Sequence, residues 1–510
     1  MAACVSATNL AAPSAGGVRW RHATCPASVS NAHKAIRVST AFNVRGFRLR
    51  NEFCARAPNS EYFPSWTQPR ATTADHWISA EDDAPLPPID ATESASSAAE
   101  WADREEDVKA ATTRMRQRLL VFRNAVKTAA RSVKSPQLQE EVHLELENIV
   151  AGSNVHDSRD LSERSFLYAF AGMVKQHSLE SVAGVGSFSD VYRSSAGGIM
   201  KCSLPFPGCM GGVPIGDGLE VVTLEARALA QLPQHPNVTR MEGAYFDHRR
   251  NEGMLVLEEA GESLQVLREQ GLVSPSQVRR HVHAVLQALA HVHQNGVTHR
   301  DIKAGNIVVS DAGKATLVDF GSARVQGVVD LYPHSREYGT PGYQAPEALL
   351  GTVQEDHYSQ VDMFSLGCTA FFLACGQEFL GAYEMNANRA TRTRRPADGG
   401  EAEEKAHEPS QALVVRWLMQ YTDFELDDDE IDIFNEEMNA NNEPLPIPGS
   451  DSISINEHLD EMLGERQPPE FISLIKSLLK KNPCERPTAV QALAHPCFSG
   501  ISGVSQNSGV

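Results

Sequence analysis

Residues 181–193 read SVAGVGSFSDVYR, a glycine-rich turn set between two β-like runs. Glycine lets backbone N–H groups approach phosphate oxygens with no Cβ in the way. The pattern is G-x-G-x-x-S-x-V, with Gly184, Gly186, then Ser189 at the third glycine position and Val191 beyond it. A dinucleotide-binding turn needs a strand before it and a helix after it. A strand on both sides excludes that fold and fits a hairpin flap over phosphates.

The totals bound the rest. A chain of 510 residues suggests two to four structural units, and 41% hydrophobic content supports at least one large core. The net charge of −19 argues against nucleic acid as a general partner. The nine cysteines form no CxxC pair, which points to reduced thiols rather than a zinc site or a disulfide framework. The most apolar stretch, MFSLGCTAFFLACG at 363–376, is too short to span a bilayer and reads as a buried helix. The chain therefore reads as soluble with no transmembrane segment, and peripheral association with a membrane surface stays open.

The amino terminus differs in kind. Glu52 is the first acidic residue, and the segment before it is rich in Ala, Ser, Thr and Arg. This composition resembles an organelle transit peptide over 1–57. The uncharged first 18 residues favour a plastid (chloroplast) over a mitochondrion, with a basic tail on a cytoplasmic protein as the alternative. Residues 58–105 are acidic and rich in Pro, Ala and Ser, and read as a disordered linker. From 106 to 177 the pattern is helical. Leu119, Phe122, Val126 and Ala129 recur on one face, which suggests packing on the adjacent domain. Residues 499–510 read as a flexible tail.

Between these lies an ordered series of signals. GIMKC ends a short β run on Lys201, and the amphipathic stretch 220–238 carries Glu225. GMLVLEEAGESL at 253–264 is an apolar strand running into a polar connector. Ser274, Pro275 and Gln277 form an N-cap, a first-position proline and a capping-box partner for a helix to 293. VTHRDIKAGNIVVS at 297–310 follows, then ATLVDFGSAR, YGTPGYQAPEAL, VDMFSLGC and a late Arg486. Taken alone, Asp301 is as well explained as a turn residue as by any chemistry.

In their order these motifs resemble the eukaryotic-type protein kinase family, serine/threonine type, over 178–498. The resemblance implies an α+β, bilobal fold: a β-rich small lobe at 178–260 and a mostly helical large lobe at 261–498. It implies ATP and Mg2+ as cofactors and proteins with Ser or Thr hydroxyls as substrates. Asp301 would be the catalytic base, assisted by Lys303, with Lys201 on the α- and β-phosphates and Glu225 paired to Lys201. Asn306 and Asp319 would hold the metal. Gly184, Val185, Gly186, Ser187, Phe188, Ser189 and Val191 would cover the nucleotide. Glu258 and Ala260 would offer backbone bonds to adenine, with Leu257 behind them. His299 matches a packed core residue, and Glu347 and Arg486 match a structural ion pair. Arg300, Ser335 and Thr340 are candidate regulatory residues, through a phosphate on the loop 322–340 that Arg300 would pair. Ser189, Ile199, Ala304, Phe364 and Cys497 depart from the usual residues, but none removes a phosphate, metal or proton ligand. The alternative is a pseudokinase acting as a scaffold or regulatory binding module, which would normally lack one of these groups.

A long insertion, about 385–465, interrupts the large lobe. It opens on NRATRTRR, and residues 401–465 carry 19 Asp and Glu against Lys405 and Arg416. This composition predicts a solvated, disordered loop, or else a docking or self-inhibitory segment.

The import reading is tested by fusing residues 1–60 to a fluorescent protein. Trimming and plastid fluorescence are expected, and full-length fluorescence spread through the cytosol would overturn it.

Overall fold

The computed structural model describes residues 97–501 except 150–153, 205–207, 211–212, 216–217, 259–260, 329–337, 381–409, 440–444, 446–452 and 465. The transit-peptide reading, most of the acidic linker, Ala260, Ser335 and the arginine-rich tract 388–395 fall outside these residues.

The described chain opens on a 36-residue helix, α1 (Ser97–Ser132), followed by α2 (Pro136–Ile149). Helix α1 begins within the segment read as a linker. A short strand β1 (Val155–Asp157) and helix α3 (Glu163–Gln176) complete the extension. Then come β2 (Leu179–Val185), β3 (Ser189–Ser194) and β4 (Gly198–Ser203), joined by tight turns. A small hairpin, β5 (Gly208–Met210) and β6 (Val213–Ile215), precedes helix α4 (Gly218–Gln231). Strands β7 (Met241–Asp247) and β8 (Glu252–Glu258) follow. The six-stranded sheet has the order β1-β7-β8-β4-β3-β2. The extension read as helical thus adds an edge strand too, with β1 parallel to β7.

The sheet has two buried faces because its strands alternate inward and outward side chains. On one face Leu255, Leu257, Ala244 and Phe246 join the core that includes α4. On the other, Tyr192, Met200, Cys202, Met254 and Val256 pack under Phe122 and Ala125 of α1 and Phe170, Met173 and Val174 of α3. Phe122 and Phe170 meet edge to face, their ring centres 5.5 Å apart.

The larger lobe is helical. A two-residue strand β9 (Glu262–Ser263) and helix α5 (Leu264–Glu269) lead to α6 (Pro275–Gln294). The cap on α6 is as its sequence implies: the Ser274 hydroxyl accepts from Gln277 N–H at 3.4 Å, and Gln277 Oε1 accepts from Ser274 N–H at 2.8 Å. Short strands β10 (Val297–Thr298), β11 (Ile307–Val309), β12 (Ala315–Leu317) and β13 (Arg324–Val325) frame two loops. Helices α7 (Pro346–Leu350) and α8 (Tyr358–Cys375) follow, and α8 is buried from Val361 through Ala374. Near its middle a Cβ at Gly367 would lie 2.8 Å from a Leu479 methyl, so the close approach of the neighbouring helix requires glycine there.

The described part of the insertion departs from its reading as a solvated, disordered loop. The described residues between 410 and 463 include α9 (Ser410–Leu418), α10 (Asp428–Glu437) and α11 (Ile455–Leu463), ahead of α12 (Pro469–Leu478) and α13 (Ala489–Leu493). Val414, Val415, Leu418, Phe424, Phe434 and Leu459 are buried in the main core. Phe379 stacks on Tyr421 at 6.2 Å and meets Phe371 of α8 at 5.4 Å. The acidic run has a local use. Asp427 caps α10 by accepting from Glu430 N–H at 2.8 Å, and Asp428, Asp429 and Glu430 occupy its first turn, where carboxylates face the positive end of the helix dipole. Composition averaged these acids together and hid the apolar residues spaced between them.

Phe434→Ala should therefore lower the unfolding free energy by about 3–5 kcal/mol in chemical denaturation. A solvated loop would give no measurable change.

Candidate active site

Lys201 lies on β4, next to the cleft between the two lobes, and is 8% exposed. An ammonium so buried must be paired. Its Nζ lies 2.7 Å from Glu225 Oε2 and 2.5 Å from Asp319 Oδ1. Glu225 comes from α4 and is fully buried; its other oxygen accepts from Phe320 N–H at 3.3 Å. One lysine thus ties the sheet, α4 and the Asp-Phe-Gly segment together. Burial works against the charge on Lys201, but Asp319 and Glu225 outweigh it and raise its pKa. Burial likewise opposes ionisation of Asp319, yet Lys201 and Lys303 hold its carboxyl well below the usual range.

Asp319 and Arg300 both adopt left-handed backbone, with φ of 63° and 66°. Such conformations are costly for side-chain-bearing residues and need the surroundings to hold them. Around Asp301 that support is dense. Asn306 Nδ2 donates to Asp301 O and to Asp301 Oδ2, both at 2.8 Å. Lys303 Nζ is 2.9 Å from Asp301 Oδ2 and donates to Thr340 Oγ1 at 2.7 Å, while Thr340 Oγ1 donates to Asp301 Oδ1 at 2.8 Å. Val318 N–H donates to Asn306 O at 3.0 Å, so Asn306 and Asp319 come from adjoining backbone segments.

The structure brings Lys201, Glu225 and Asp319 into one cluster, and Asp301, Lys303, Asn306 and Thr340 into another. The flap over them is the β2–β3 hairpin, closed by Gly186 N–H donating to Ser189 O at 2.9 Å. Its tip, Gly186 and Ser187, is exposed, whereas Phe188 packs partly on the core. At the back of the cleft Leu257 is buried, and Glu258 N–H donates to Arg240 O at 3.0 Å.

His299 is fully buried: Nε2 bonds Val318 O at 3.0 Å and its ring meets Phe320. Arg300 is 2% exposed; its Nε donates to Ser322 O at 2.6 Å and its guanidinium lies 4.1 Å from the Tyr338 ring centre. Glu347 and Arg486 make a bidentate pair at 2.6 and 2.8 Å that fastens α7 to the chain after α12.

Asp362 was not singled out from the sequence. It is fully buried on α8 and accepts from His299 N–H at 2.9 Å, Arg300 N–H at 2.7 Å and His293 Nε2 at 2.8 Å. A signal was available: a carboxylate inside the apolar run VDMFSLGC needs buried donors. Arg114, Asp190 and Tyr192, which meet on the outer face of the flap, carried no such signal.

Burial raises the Asp362 pKa, but the His293 hydrogen bond and charge, with the charge and N–H of His299, prevail and lower it from 3.8. A lowered folded value means stability that is present above the unfolded pKa and lost as pH falls through the folded one. Asp362→Asn should cost about 3–5 kcal/mol at neutral pH. The gap between wild type and variant should narrow below about pH 4 in urea titrations. A pH-independent gap would show that charge is not what Asp362 contributes.

The comparisons with known proteins agree with this geometry. The family model for the protein kinase domain matches residues 215–498, a stretch that begins after the flap and Lys201. Serine/threonine-protein kinase TAO2 of Rattus norvegicus is 32% identical over 217 residues, covering 41% of this chain and 16% of the relative. TAO1-B of Xenopus laevis is 35% identical over 161 residues, covering 31% and 15%, and TAO3 of Xenopus laevis is 31% identical over 212, covering 41% and 22%. The chain thus spans less than a quarter of the length of each of these relatives. With the family model covering more than half of this chain, and with a β-sheet small lobe and a helical large lobe around the cleft, the chain belongs to the protein kinase domain family.

Proposed function

We propose that this chain is a serine/threonine protein kinase that uses ATP and magnesium. The observation that carries the reading is the carboxylate of Asp301, held by Asn306, Lys303 and Thr340 beside an assembled Lys201–Glu225 pair. A pseudokinase scaffold has no need of this arrangement.

The residues suit the cofactors. Asn306 commits amide hydrogens to Asp301, which leaves Oδ1 as a ligand atom, and the Asp319 side chain is 46% exposed. Hard oxygen donors of this kind are what magnesium takes. Lys201 uses two of its three N–H groups on carboxylates and keeps one for a phosphate oxygen. The carbonyl of Glu258 is the part of that residue left for adenine, because its N–H is spent on Arg240. When bound, magnesium-ATP supplies the γ-phosphoryl group and the divalent charge that offsets its oxygens.

The protein's part is positioning and charge. Asp301 accepts the proton of the incoming hydroxyl, its orientation set by Asn306 and Thr340 before substrate arrives. Lys303 pairs with that carboxylate and adds positive charge beside the transferring group. Thr340 borders the acceptor site from the Gly-Thr-Pro-Gly turn. A phosphate on Ser335 remains a proposed regulatory input.

Asp301→Asn should lower the turnover number by about 10²–10⁴-fold on a generic Ser/Thr acceptor. Nucleotide affinity should stay within about twofold, because the base touches the acceptor and not the nucleotide. Lys201→Met should remove transfer through misplaced phosphates. Undiminished transfer by both variants, or none by the wild type with magnesium-ATP, would reject the kinase reading.

A further inference from the structure

The outer face of the flap is occupied by the amino-terminal extension. Along β3, Asp190, Tyr192 and Ser194 alternate with the cleft-side Val191 and point away from the cleft. Each of the three bonds to the extension. Asp190, with no exposed side-chain surface, receives Arg114 Nε at 2.6 Å and Nη2 at 2.7 Å. The Tyr192 hydroxyl lies 3.3 Å from Ala111 O and 2.9 Å from Asp190 Oδ2. Ser194 Oγ bonds His177 Nδ1, at the end of α3, at 3.1 Å.

The neighbouring strand is held as well. Arg118, four residues after Arg114 and so on the same helix face, donates Nη2 to Ser203 O at 2.6 Å. Ser203 ends β4, two residues past Lys201, and Val191 and Lys201 face each other in the ladder. Helix α1 therefore grips both strands whose inner faces line the nucleotide cleft.

We propose that α1 is the outer half of the nucleotide flap, with Arg114 a positioning residue that sets nucleotide affinity through Asp190. This rests on the kinase reading above. The logic is electrostatic. A buried carboxylate is stable only with its partner in place. A bidentate guanidinium also fixes direction, so the return strand cannot tilt without breaking two bonds. Holding the flap in advance spares its ordering when nucleotide binds. An extension that shifted on the sheet would loosen the flap without touching Asp301, Asn306 or Asp319.

The test uses the full chain. Arg114→Ala should speed amide hydrogen exchange at 184–192 in the nucleotide-free protein, leaving α6 and α8 unchanged. It should raise KM for ATP about tenfold with the turnover number within about twofold. Arg114→Lys, which keeps the charge but loses the fork, should fall between wild type and Ala, and serves if the Ala variant does not fold. Tyr192→Phe should give a smaller shift in the same direction. Faster exchange spread evenly over the whole small lobe, or an unchanged KM beside a lowered melting temperature, would reduce Arg114 to a fold contact and overturn the proposal. If the wild type transfers no phosphate, the kinase reading fails by itself. The exchange pattern at 184–192 then still upholds or rejects the brace.

Discussion

A fully buried carboxylate on the core helix, Asp362, underlies the arrangement of the whole site. It takes the N–H groups of His299 and Arg300, so the backbone just before Asp301 is fastened to the most buried element of the large lobe. Arg300 can then hold its left-handed conformation, and Asp301 emerges at a fixed angle toward Asn306 and Thr340. Such a group is costly to bury without partners, and here the partners belong to the loop of Asp301 or to the helix leading into it. Stability and site geometry therefore rest on the same bonds.

The second organising element is the lysine between the lobes. Lys201 draws on Glu225 from a helix and Asp319 from a loop, so those elements must be in place together for its charge to be satisfied. Phe320 N–H on Glu225 and the Phe320 ring against His299 extend this contact toward the Asp362 anchor. The two buried charge centres are thereby linked through one aromatic side chain. The arrangement is an assembled one: sheet, helix and loop are already closed on each other.

The candidate site was legible through the order of its motifs, which resembles that of protein kinases, and not through any one residue. Asp301, Lys303 and Asn306 sit within six residues, and Asp319 ends an apolar strand. The insertion was misread because acids and apolar residues alternate there on a helical period, and composition averages that period away. The capping pair Asp427 and Glu430 was the local clue to a helix start. The extension's use was not legible. Arg114 lies 76 residues before Asp190, and nothing near either residue calls for the other.

By itself the chain determined its local elements: a glycine turn between strands, a short strand ending on Lys201, and a capped helix before the loop of Asp301. Those follow from backbone preference and periodicity, which act over a few residues. Tertiary structure decided which buried charges meet. Asp362 under the loop of Asp301, Arg114 on the outside of the flap, and Arg486 on Glu347 are pairings across 62, 76 and 139 residues. The physical reason is that burial makes the pairing of a charge specific. In water any of these groups would be satisfied by solvent; inside the fold only the few groups packed beside it lie within reach.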